Sequence, residues 1–248
     1  MVSRPKTHQN KFMENLQEKI KKIKPSIVAI GFTPNSQQIT IIGSGFIVTE
    51  DGKIATVAHL FNQLNEEQIG SLKANVMGGK QGEDLEVYKW VPLILNKDQI
   101  NIKDDVAVLK LDLSQEKDVK LTKAELDDSE KVEIGQEAYF IGFPYAAQLM
   151  NSGFGVTLIV NKGIVSNIKR DGVDLKHPRN WFIIDAISNP GNSGCPIVDI
   201  ESNKVIGIMS ISFRTPSLNP NYKDLEIREP MHIAGAKPIN LAKDLLEQ

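Results

Sequence analysis

Three segments of this chain carry side chains suited to nucleophilic chemistry. The first is Ser188-Asn189-Pro190-Gly191-Asn192-Ser193-Gly194-Cys195-Pro196. Gly191 and Gly194 let the backbone approach a ligand with no Cβ in the way, and Pro190 and Pro196 stiffen both ends of the turn. A serine nucleophile needs a rigidly presented hydroxyl, with backbone N–H groups aimed at the charge that develops on a carbonyl oxygen. Gly-Asn-Ser-Gly is also ordinary loop chemistry, so its meaning depends on a base and an acid elsewhere. The chain has four histidines. His8 falls in a polar tail, His177 in a charged loop, and His232 after a long loop. His59 ends a hairpin running from Gly43-Ser44-Gly45-Phe46-Ile47-Val48 to Thr56-Val57-Ala58-His59. An imidazole at a strand end can be held in one orientation, as a general base requires. A lone histidine there also fits a surface or a satisfied core role. Asp105 immediately precedes the apolar run Val106–Leu111, so it can be partly buried. A buried carboxylate accepting from an imidazole fixes its tautomer and stabilises its cation. Read alone, Asp104 and Asp105 are equally well solvated loop charges.

The elements that must position these groups are mostly short strands. Phe12, Leu16, Ile20 and Ile23 recur at helical spacing, which predicts a helix over about 12–24 that Pro25 ends. The period then changes. β-type runs fall at Ile27–Ile30, Ile39–Ile42, Gly45–Val48, Lys53–Val57, Leu85–Trp90, Val91–Leu95 and Val106–Leu111. Glu50-Asp51-Gly52 marks a hairpin. The polar stretch Asp112–Glu130 reads as a linker. Strand runs resume at Glu137–Ile141, Val156–Asn161, Gly163–Asn167, Trp181–Ile184, Pro196–Asp199 and Lys204–Ser212. Residues 213–231 read as a long loop. Leu241, Leu245 and Leu246 predict a C-terminal helix over about 239–247, with Asn240 as its N-cap. The fold class is all-β, in two batches of strands that fit two packed barrels or sandwiches.

Composition narrows the function classes. Of 248 residues, 41% are hydrophobic, enough for a sizeable core. The net charge of −2, from 29 basic and 31 acidic residues, leaves no global field to attract nucleic acid or anionic lipid. The single cysteine, Cys195, excludes an intrachain disulfide and favours a reducing compartment. Met1–Lys24 lacks the apolar core of a signal peptide, and no apolar run approaches the roughly 20 residues of a membrane helix. The expected setting is therefore cytoplasmic, or periplasmic or secreted if a targeting segment has been removed.

Taken in order, the His59, Asp105 and Ser193 segments resemble the trypsin-like serine proteases, most closely their HtrA/Deg branch. Weaker echoes are Ile141-Gly142-Phe143-Pro144, Gly163-Ile164-Val165-Ser166 and Lys237-Pro238-Ile239-Asn240. The order His, Asp, Ser is that of the chymotrypsin fold. The resemblance implies one peptidase domain over 1–248 and two six-stranded antiparallel β-barrels, about 25–115 and 130–236. The site would lie between them. It implies His59 as base, Asp105 as its orienting acid and Ser193 as nucleophile, forming an acyl-enzyme from a protein or peptide substrate. The N–H groups of Gly191 and Ser193 would form the oxyanion hole, without metal or organic cofactor. Ile187 and Ser188 would line the primary pocket, and Met209-Ser210-Ile211 would pair with substrate as an added strand. With no acid at the pocket floor, a small or medium apolar residue is the expected preference. His232 could instead favour Glu or Gln.

Cys195 departs from the pattern, standing where a second glycine is usual. A small buried packing role is expected; a φ above zero there would strain the loop. The branch is usually exported and carries a C-terminal PDZ domain, neither of which is expected of this chain. It can also form trimers through an N-terminal segment. Here Phe12, Leu16, Ile20 and Ile23 could serve a homo-oligomer or fold back on their own barrel. Two other functions stay open: a chaperone-like pseudoprotease that holds peptides uncleaved, and an enzyme whose oxyanion loop orders only with ligand.

Overall fold

A computed structural model describes residues 15–33, 38–81, 85–116, 119–169, 180–216 and 228–247. His8, Phe12 and His177 lie outside that range. The first sheet comprises β1 (Ile27–Phe32), β2 (Thr40–Ile47), β3 (Lys53–Thr56), β4 (Leu72–Gln81), β5 (Leu85–Ile94), β6 (Ile100–Asn101) and β7 (Val106–Leu111). Its order is β3-β2-β1-β4-β5-β7-β6, and an additional β3–β7 pairing closes six of these strands into a barrel. The second barrel is β8 (Glu137–Gly142), β9 (Ile159–Lys169), β10 (Trp181–Asp185), β11 (Pro196–Asp199), β12 (Val205–Pro216) and β13 (Arg228–Pro238). It closes as β10-β13-β12-β11-β8-β9. All ladder pairings are antiparallel, as in the expected double barrel.

Period-2 alternation places the cores. Along β1, Val28, Ile30 and Phe32 fill the first barrel. Ile27 and Ala29 face a separate cluster that joins the barrels. Along β7, Ala107, Leu109 and Leu111 point into the barrel, and Val106 and Val108 into the joint. In the second barrel, β8 sends Ala138 and Phe140 inward and Tyr139 and Ile141 to the joint. These strands read as continuous apolar runs because both of their faces are covered.

The helices clamp the joint. In α1 (Leu16–Ile23), Asn15 caps the start by accepting from Glu18 N–H at 2.9 Å. Ile23 is buried in the joint, with Leu16 and Ile20 packed against it, so the described part of this helix folds back on its own barrels. Lys19 is 8% exposed. Its Nζ donates to the carbonyls of Ile200 and Glu201 at 2.6 and 2.9 Å. Leu241, Ala242 and Leu245 of the C-terminal helix Asn240–Leu246 enter the same cluster. Among the described residues no helix is long and apolar enough to cross a membrane.

Several sequence boundaries need correction. Residues 213–231 are not wholly loop: β12 runs on to Pro216 and β13 begins at Arg228. Hydrogen bonding between the strands continues past the apolar stretch that periodicity can see. The runs Leu85–Trp90 and Val91–Leu95 form one strand, β5, that ends at Ile94, and Pro92 pairs with Lys73 within it. Asn240 is not the N-cap. Ile239 holds that place, and Asn240 Nδ2 donates to Asp128 Oδ1 at 2.9 Å. The linker Asp112–Glu130 is strapped to both barrels. Ala124 N–H donates to Ile47 O at 2.8 Å, and Val205 N–H donates to Glu125 O at 2.8 Å. Several elements are absent from the sequence expectation, among them β6, β13 and the helix Ala146–Asn151. Leu72-Lys73-Ala74-Asn75-Val76 alternates as β4. Asn65 and Gln68 form a capping box that opens α2 (Glu66–Gly70).

Candidate active site

The chain sets His59 in a single helical turn, Ala58–Phe61, directly after β3. Asp105 ends the loop before β7, which pairs with β3, so strand pairing brings the imidazole and the carboxylate together. Asp105 sits at φ +53°, a conformation aspartate tolerates better than most residues. His59 Nδ1 lies 3.0 Å from Asp105 Oδ2 and 3.2 Å from Oδ1. The His59 backbone N–H also donates to Oδ1, at 2.9 Å. An ionised carboxylate can only accept, so Nδ1 carries the proton and Nε2 of the neutral ring presents its lone pair. The imidazole is 37% exposed and the Asp105 side chain 19%, so His59 is the more open of the two and Asp105 lies behind it. Burial alone would raise the Asp105 pKa. Hydrogen bonds from His59 and Ser210, with the electrostatic pull of the imidazole when it is protonated, override burial and hold it below the ordinary carboxylate range. Asp104, by contrast, is buried against Asn101, whose Nδ2 donates to it at 2.8 Å.

Ser193 comes from the loop between β10 and β11, across the joint. Ser210 connects it to the acid. The Ser210 hydroxyl donates to Asp105 Oδ2 at 2.5 Å, and the Ser210 carbonyl accepts from Ser193 Oγ at 3.3 Å. In this state the Ser193 hydroxyl is turned to Ser210 and not to His59. Catalytic hydrogen bonds often tighten only when substrate is bound.

The turn around Ser193 is held through its backbone. Gly194 N–H donates to Met209 O at 2.7 Å, Met209 N–H to Cys195 O at 2.8 Å, and Ser44 N–H of the first barrel to Ser193 O at 2.8 Å. Gly194 has φ +87°, and a Cβ there would lie 2.0 Å from Ser44 O. The positive φ falls on Gly194, and Cys195 is not among the positive-φ residues. Cysteine at 195 therefore brings no backbone strain. It is fully buried in the second barrel's core, and burial pushes its thiol pKa far up, leaving no thiolate to act as nucleophile.

Two peptide planes fix the neighbouring N–H groups. Pro190 O accepts from Tyr145 N at 2.8 Å, and Asn192 O accepts from Cys195 N at 2.9 Å. In a trans peptide the N–H points opposite to the C=O. Gly191 N–H is thus turned away from Tyr145, and Ser193 N–H away from Cys195. Among the described residues neither donates to a protein acceptor.

The expected pocket residues divide. Ser188 is buried and Ile187 half-buried. The Met209 side chain is in the second barrel's core, so its role near the turn is through the backbone. Ile211 is 37% exposed beside the cleft. His232 is exposed, at φ +58° where the β12–β13 register slips. Sequence reasoning missed Ser44 and Tyr145 as partners of the turn. Ser44 carried a visible signal, a polar residue inside the apolar Gly43–Val48 strand.

The trypsin-like peptidase domain family matches residues 43–208, from the strand holding Ser44 to the one beside the Ser193 turn. The chain belongs to that family. It is 30% identical, over 88% of its length, to a probable periplasmic serine endoprotease DegP-like of Halomonas elongata. It is 30% identical over 80% of its length to serine protease HTRA1B of Danio rerio, and 32% over 80% to serine protease HTR4 of Rattus norvegicus. The chain spans 37%, 38% and 37% of those relatives' lengths, respectively. A similarity to proteins named periplasmic gives no support to the cytoplasmic expectation.

Proposed function

We propose that this trypsin-like domain is a serine endopeptidase acting on protein or peptide chains. The observation that carries the reading is the continuous path Ser193–Ser210–Asp105–His59, built from both barrels. Ser193 Oγ attacks the scissile carbonyl while His59 Nε2 takes its proton. His59 then returns that proton to the leaving amine, and water entering through the same base hydrolyses the acyl-enzyme. Asp105 stays ionised throughout. Its depressed pKa and three hydrogen-bond donors suit it to hold the imidazole and its cation. Gly191 and Ser193 N–H groups, turned away from their protein neighbours, are the donors for the oxyanion. Ile211 and the part of β12 beyond Ile208, which pairs with β13 but not with β11, suit an extended substrate added as a strand. The periplasmic name of the Halomonas elongata relative supports a working site outside the cytoplasm.

Peptide-library cleavage with Ser193→Ala as control tests activity and primary specificity together. Cleavage by wild type and none by Ser193→Ala is expected. Equal binding of substrates by both, with no product from either, would favour a peptide-holding scaffold instead.

A further inference from the structure

Ser44 is 0% exposed, and its hydroxyl has a complete set of partners that all belong to the other barrel. It donates to Gly191 O at 2.7 Å and accepts from Phe143 N–H at 3.0 Å. Gly191 O belongs to the peptide plane lying between the two that carry the Gly191 and Ser193 N–H groups. Phe143 is two residues before Tyr145, whose N–H holds the Pro190 carbonyl. One hydroxyl therefore pins the middle plane of the turn and the loop that fixes the plane before it.

Ser44 is itself held. Its carbonyl accepts from Thr56 Oγ1 at 2.7 Å. The end of β8 lies close against its hydroxyl, since a Cβ at Gly142 would approach Ser44 Oγ to 2.8 Å. The side chain within the turn does not do this work. Both amide atoms of Asn192 are buried with no hydrogen-bond partner among the described residues. The planes that aim the donors are thus set by neighbours, and Ser44 is the neighbour whose side chain reaches the central one.

We propose that Ser44 is a positioning residue for the oxyanion donors, transmitting the geometry of the first barrel to the Gly191–Ser193 turn. This rests on the serine-peptidase reading above. Ser44 touches neither substrate nor the reacting atoms. Its loss would loosen donors that matter chiefly in the transition state, so it should lower kcat more than it raises KM.

The test is inactivation by a fluorophosphonate. Ser193 Oγ bonds to phosphorus, fluoride leaves, and the serine proton passes to His59, while the phosphoryl oxygen takes the oxyanion position. Deleting one oxyanion donor costs on the order of 10²–10³ in rate, so a partial loss of aim in Ser44→Ala should lower kinact about 10–100-fold. The reversible KI should stay within roughly twofold, because uniform binding is untouched. Rates are normalised to folded sites by end-point labelling. Ser44→Thr, which keeps the hydroxyl, should restore most of the rate. Should Ser44→Ala fail to fold, Ser44→Cys, with nearly the same volume and a weak donor, should show the same split. A folded Ser44→Ala or Ser44→Cys with wild-type kinact overturns the proposal. So does a folded Ser44→Thr that is as slow as Ser44→Ala. Those failures are distinct from failure of the peptidase reading, which a wild type unlabelled at Ser193 would reveal.

Discussion

The two halves of the site are fastened by different means. On the first barrel, His59 and Asp105 hold each other by side-chain contacts of 3.0 and 3.2 Å, with Ser210 closing on the same carboxylate. On the second barrel, the Ser193 turn is held by backbone bonds from Met209, Tyr145 and Ser44. The acid–base half therefore depends on residue identity at a few positions. The nucleophile half depends on conformation, on what can sit at φ +87° and what can approach within contact of Ser44. Chemistry demands this division, because proton transfer needs specific functional groups and oxyanion binding needs only correctly aimed N–H groups.

Substitutions in the acid–base half should break chemistry at only a small cost to the fold. His59→Ala should lower kcat by about 10⁶, by analogy with other serine proteases, with only a small fall in melting temperature. Asp105→Asn should cost about 10⁴ by leaving the imidazole in the wrong tautomer. Steady-state kinetics on a peptide found in the library test would measure both.

Substitution of the positive-φ glycine of the nucleophile turn should instead break the fold along with the activity. Gly194→Ala meets both a left-handed backbone and the Ser44 carbonyl, so it should destabilise by at least about 1–3 kcal/mol. Urea unfolding would show it, and His59→Ala should show much less. A Gly194→Ala protein as stable as wild type would erase the distinction between the halves.

Acid titration gives a smaller effect with a defined sign. The folded pKa of Asp105 is depressed, so its stabilising contribution is present above the unfolded value of about 3.9 and is lost as pH falls through the folded one. The stability difference between wild type and Asp105→Asn should shrink below about pH 4. The smallest effect is expected at Cys195. Its buried thiol, pKa pushed far up, should leave iodoacetamide without effect on activity under native conditions. Rapid inactivation would mean that the turn opens.

The same contrast explains what was legible in the sequence. His59, Asp105 and Ser193 were readable because side chains announce their chemistry and each stands beside an apolar strand. The barrels were readable from the runs at Ile27–Ile30 and Val106–Leu111. The backbone partners were not. Nothing in Met209 as a residue type says that its carbonyl receives Gly194 N–H, and Tyr145 grips Pro190 through an N–H that any residue but proline could supply. Ser210 was expected at the substrate strand, and its place under Asp105 depends on how the two barrels meet. β13 escaped altogether: its start, Arg228-Glu229-Pro230, pairs with β12 without an apolar face.

The most direct test of the central claim is mass-spectrometric mapping of the fluorophosphonate adduct on the folded protein. The account predicts one adduct, on Ser193, strongly slowed in His59→Ala and absent in Ser193→Ala. A folded wild type that forms no adduct, or forms it on another residue, would contradict it.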